Sequence, residues 1–90
     1  LTNQRKDVAM KLIAQFEHTD TFGGEANYSW VRRHTHEFDE NTDTKEIVRA
    51  ARKWAGFEHV PCLTLDMCEV IEVRPIDQTL CEVVFVSFGE

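Results

Sequence analysis

The sequence predicts an α+β two-layer sandwich in the order β-β-α-β-β: an antiparallel sheet with one amphipathic helix across one face. Three observations carry that expectation. Residues 43–56 hold a single helix-period stripe with its own start and stop signals. The segments on either side alternate in polarity, or run apolar, at strand length. Glycine, proline and polar clusters fall between them, and one helix among strands must lay its apolar face on the sheet.

Residues 1–9 (LTNQRKDVA) are polar and differ in character from residues 10–17, and Met10 is a natural start. An upstream extension or an expression remnant is expected there, with a single domain over residues 10–90. Residues 10–17 read as the first strand, with Met10, Leu12, Ala14 and Phe16 inward and Ile13 as the exception. The spacing of Val8, Leu12 and Phe16 by four keeps a helical start open as the alternative. Residues 18–25 (HTDTFGGE) read as a turn or loop, because Gly23 and Gly24 free the backbone and Thr19, Asp20 and Thr21 can bond back to it.

Residues 26–38 read as the second strand, where Tyr28, Trp30, Arg32, His34, His36 and Phe38 share one face by parity and Val31 takes the other. Residues 39–42 connect to the helix. Asp43 and Glu46 form a capping-box variant; Ile47, Ala50, Ala51 and Trp54 form the apolar stripe; Gly56 ends the helix in a left-handed conformation. Trp54 is expected to be largely buried near Tyr28 and Trp30. After a link at residues 57–61, residues 62–65 make a brief strand and residues 66–69 a bulge or turn. Residues 70–74 are a strand, Pro75 opens a turn, and residues 79–88 are the last strand, apolar on both faces as a central strand would be.

Ninety residues make one domain. Three Cys is an odd count without paired spacing, so Cys62, Cys68 and Cys81 read as reduced, buried thiols rather than a disulfide framework. No run approaches a membrane span, which points to the cytoplasm. A formal charge of −6 argues against general nucleic-acid binding. The charge is uneven, though: residues 45–53 carry a net +3, leaving −9 for the rest. Lys45, Arg49, Arg52 and Lys53 fall in a line opposite the apolar stripe, a basic ridge whose ordinary meaning is a solvated helix face.

The stretch from His18 through Phe22-Gly-Gly-Glu-Ala-Asn-Tyr28 to Arg33, followed by Ile47-Val-Arg-Ala-Ala-Arg-Lys-Trp-Ala-Gly56, resembles small proteins encoded by bacteriophages and prophages. The resemblance implies a phage origin and a bacterial host cell, and brings no activity or site residue with it.

The chemistry-bearing residues form no catalytic constellation. His34 and His36 share a strand face and are weak candidate metal ligands, but no Cys-x-x-Cys or His-Glu-x-x-His pattern accompanies them, and no metal or cofactor is expected. Neither Cys62 nor Cys81 sits where a thiolate would be activated, and the many carboxylate pairs are what an acidic chain contains by chance. The expectation is a non-enzymatic phage accessory protein that binds a host or phage protein, with inhibition as one mode of action, or associates with itself as a dimer through an open sheet face. On the last strand Val83 and Phe85 alternate with Leu80, Val84, Val86 and Phe88, so whichever set packs on the helix, the other needs cover, and Ile13 and Val31 would add to that second patch if they share its face. The weaker alternative is a single-stranded nucleic-acid binder using Arg32, Arg33 and the helix cations, with Tyr28, Trp30 and Phe38 as stacking surfaces.

Overall fold

The computed structural model describes residues 11–89, so the expectation for residues 1–9 lies outside the described part. The elements are β1 (Lys11–Phe22), β2 (Glu25–Asp39), α1 (Thr44–Ala55), β3 (Cys62–Asp66), β4 (Val70–Pro75) and β5 (Glu82–Phe88). A short 3-10 helix, Gln78–Leu80, precedes β5. The strands form one antiparallel sheet in the order β2-β1-β5-β4-β3, with α1 on one face. This is the expected α+β sandwich. The brief strand after the helix pairs with β4 and makes a fifth strand, and β5 takes the centre.

The helix forms as its sequence dictates. The Asp43 side chain accepts from the Glu46 N–H at 3.0 Å, and Gly56 closes the last turn at φ 90°, donating to the Arg52 and Lys53 carbonyls. Ile47, Ala51 and Ala55 are buried beneath it, against Ala14 and Phe16 of β1, Ile71 and Val73 of β4, and Val84 and Val86 of β5. Phe57, read as part of a link, is buried in the same core.

The first hairpin departs from expectation. Residues 18–22 are strand, not loop, and the turn is only Gly23-Gly24, both at positive φ (65° and 87°) as a two-residue hairpin of this hand requires. Beside the turn the register breaks: Thr19 faces Val31 but Thr21 faces Ala26, so Asp20 alone stands opposite residues 27–30. Tyr28 adopts φ 57° inside this bulge. The Asp20 carboxylate fills it, accepting from the Ser29 N–H (2.9 Å), the Ser29 hydroxyl and the Asn27 amide (2.9 Å).

The bulge overturns the parity read for β2. Trp30 remains on the helix side, edge-on to the His18 ring at 4.8 Å, whereas the Tyr28 hydroxyl reaches Glu17 on the opposite face. Neither aromatic is core: Tyr28 is 50% exposed and Trp30 38%. Trp54 is half-buried, packed on Phe16 of the sheet and stacked on His34, and of the expected pair only Trp30 shares its face. Cys68 and Cys81 are exposed, both at positive φ, so only Cys62 approaches the sheltered thiol expected of all three.

Candidate functional site

Alternation along β5 divides the molecule into two surfaces. Val84 and Val86 point to the helix, so Val83, Phe85 and Ser87 lie on the open face with Gln15, Glu17 and Thr19 of β1. On that face a groove of about 470 Å³ is floored by Phe85 and Val70 and walled by Tyr28, Glu17 and Arg33. The wall is a hydrogen-bonded unit. Glu17 accepts from the Tyr28 hydroxyl at 3.0 Å and from Arg33 Nε at 2.9 Å. Burial, together with the neighbouring carboxylate, holds the Tyr28 phenol above its ordinary value.

Across β5, Glu72 and Arg74 pair with each other, and Arg74 Nη1 also donates to the Gly24 carbonyl at 2.8 Å, tying the hairpin tip to β4. These long side chains share the face of Val83, which is fully buried. The expected apolar patch is therefore smaller than the sequence implies. Val83 is already sheltered, Leu80 belongs to the 3-10 helix rather than the strand, and Phe88 faces the helix side opposite Ala14. What remains open is Phe85 and Ile13 in part, Val31, and Leu63 and Leu65 on the β3 flank.

The six candidate cations do not gather at one site: Lys45, Arg49 and Arg52 line a groove beside β3, and the other three lie elsewhere. Arg32 lies on the helix side, its guanidinium 4.6 Å from the centre of the Trp54 ring, while Arg33 is on the open face. Lys45, Arg49 and Lys53 are exposed along the helix. Arg52 is not part of a solvated ridge: its Nη2 donates to the carbonyls of Val60 (2.7 Å) and Phe57 (3.2 Å), bracing the chain that leaves the helix. Its Nε is buried without a partner among the described residues. Arg52 sits on the flank of α1 beside Val48, not opposite the buried stripe, so the linker carbonyls are within its reach.

Sequence reasoning missed a polar cluster on the helix side. His18 is buried at 5% exposure, with Nε2 2.8 Å from Glu82 and Nδ1 2.9 Å from an Arg32 nitrogen. Arginine only donates, so Nδ1 accepts and the ring proton resides on Nε2, donated to Glu82. Burial pushes the imidazole below its ordinary value, Glu82 works against that, and the Arg32 charge adds to it. His34 and His36 stack, the first on Trp54 and the second on Phe38. Among the described residues, no group of three or more His, Cys, Asp or Glu side chains is placed to hold a metal ion. Burial raises the Cys62 thiol, with Arg52 opposing, which disfavours the thiolate form.

No described helix is long and apolar enough to cross a membrane. Compared with protein-family models, with curated proteins and with solved structures, the chain matches none of them.

Proposed function

We propose that this chain is a small non-enzymatic accessory protein that works by binding another protein through its open sheet face. The observation that supports the reading is the groove floored by Phe85 and Val70 on the side of the sheet away from α1. It combines apolar floor with the polar Tyr28–Glu17–Arg33 wall, the mixture of anchor and rim that protein interfaces use. The resemblance of residues 18–33 and 47–56 to phage-encoded proteins favours a partner from the phage or from the host cytoplasm. A second copy of the chain is the other occupant this face would accept.

Affinity capture with three proteins tests the reading: wild type, Phe85→Glu on the open face, and Lys45→Glu/Arg49→Glu on the helix. A partner or second copy retained by wild type and by the helix variant, but lost with Phe85→Glu, is the expected result. Equal retention by all three, or recovery of nothing under gentle salt, would overturn it.

A second reading draws on a different observation. Trp30, Arg32, His34, His36 and Phe38 form a continuous row along β2 beside the helix, and Trp30 and His34 are exposed enough to stack on a ligand. Single-stranded nucleic acid would use such a row. The reading is narrower than the sequence implied, because Arg33 faces away and Arg32 is engaged with His18 and Trp54. A mobility shift at low salt that Trp30→Ala/His34→Ala abolishes would favour it over the first.

A further inference from the structure

Beyond the open face, the far side of the sheet ends in a second surface of distinct chemistry. Strand β3 is an edge: it pairs with β4 alone, and among the described residues its outer side has no partner. The Met67 N–H donates to the Val70 carbonyl, and the Ile76 N–H to the Pro61 carbonyl, which fixes the phase of the ladder. Residues 63 and 65 direct their N–H and C=O groups to β4, so those of Cys62, Thr64 and Asp66 point outward. Above this edge runs a groove of about 420 Å³ between β3 and α1, lined by Lys45, Val48, Arg49, Arg52 and Thr64. Lys45 and Arg49 have no acidic partner among the described residues, in a chain of net charge −6. On the opposite face of the same strand Leu63 and Leu65 are 52% and 45% exposed.

We propose that the β3 edge takes up an extended peptide of alternating acidic and apolar residues as a sixth strand. Three independent features select that ligand. The outward N–H and C=O groups of residues 62, 64 and 66 offer main-chain hydrogen bonds. Side chains of an added strand alternate between faces, so one set meets Lys45 and Arg49 in the groove and the other meets Leu63 and Leu65. Charge complementarity then excludes basic peptides on the groove side, and the two leucines exclude uniformly acidic ones. The proposal rests on reading the chain as a protein-binding module, but on a surface other than the Phe85 groove, so either can fail alone.

The probe is a fluorescein-labelled peptide of alternating Glu and Val, titrated with the whole chain and read by anisotropy. Saturable binding that weakens with salt is expected, and Lys45→Glu/Arg49→Glu should weaken it by at least about tenfold. N-methylation of alternate peptide amides, which blocks strand addition without touching the protein, should have an effect of similar size. Thr64→Pro should do likewise, since it removes an outward N–H and no hydrogen bond to β4, and a melting curve shows that it is folded. Phe85→Glu should leave peptide binding unchanged, whatever it does to partner capture. Absence of binding, equal affinity for the N-methylated or order-scrambled peptide, or indifference to the charge reversal would each overturn the proposal. So would self-association of the chain that Thr64→Pro abolishes and the peptide does not displace, which would assign the edge to a second copy.

Discussion

Asp20 and His18 sit two residues apart on β1 and hold the hairpin in opposite ways. Asp20 is fixed as a carboxylate by the Ser29 and Asn27 donors, which keep it well below the ordinary carboxylate range. A depressed acid contributes stability that is present above its unfolded value and lost only as pH falls through the folded one. Asp20→Ala should therefore loosen the bulge at neutral pH, with residues 25–30 losing hydrogen-exchange protection ahead of the core. Unchanged protection there would show that the bulge holds without its filler. His18 is held neutral by burial, so its contribution is complete above the ordinary value of 6.5 and declines as pH falls below it. The melting temperature should drop between about pH 7 and 5, and His18→Gln should flatten that slope. A slope of the same size in the variant would move the titration elsewhere.

At the scale of elements, the helix was readable, and the tight turn and bulge of the first hairpin were not. Asp43, Glu46, the Ile47 stripe and Gly56 act on neighbours a few residues away, so local spacing suffices to find them. Residues 18–22 read as loop because they are polar, yet their partners are distant: Glu82 lies 64 positions from His18. The bulge was hidden for a related reason. Period-two parity across residues 26–38 is correct from Trp30 onward and fails at Tyr28, where a single carboxylate across the ladder resets it. Arg52 was lost to the same limit, since its linker carbonyls are invisible to helical spacing.

Two substitutions grade the packing that results. Phe16→Ala, in the fully buried centre of the core, should cost about 3–5 kcal/mol, whereas Trp54→Ala, half-buried at its margin, should cost about 2–3 kcal/mol. Urea denaturation measures both, and a larger loss at Trp54 than at Phe16 would contradict the arrangement of α1 on the sheet.

For the whole molecule, charge and sheet geometry make separable predictions about association. Two copies each carrying −6 repel, so self-association through the Phe85 groove should strengthen as salt screens the protomers. Light scattering at micromolar concentration over a salt series reads this directly, and a monomer mass throughout would remove the second copy as occupant of that face. The candidate site itself was only half legible. Alternation in β5 foretold a second face in need of cover. The burial of Val83 beneath the face shared by Glu72 and Arg74, the Tyr28–Glu17–Arg33 wall and the free edge of β3 all depend on strand order, which no local pattern encodes.

The central place of β5 also governs how the chain reaches this structure. Its neighbours are β1 and β4, so the middle of the sheet is completed by the last of the described strands to be synthesised. Until Val84 and Val86 arrive, the β1–β2 hairpin and α1 share an unfinished core, and the inner edge of β1 is bare. Joining β1 to β5 closes a loop that spans nearly the whole domain, a step that topology makes slow, on the order of milliseconds to seconds. During that interval the bare edge of β1 is the part of the chain most exposed to pairing with the wrong strand.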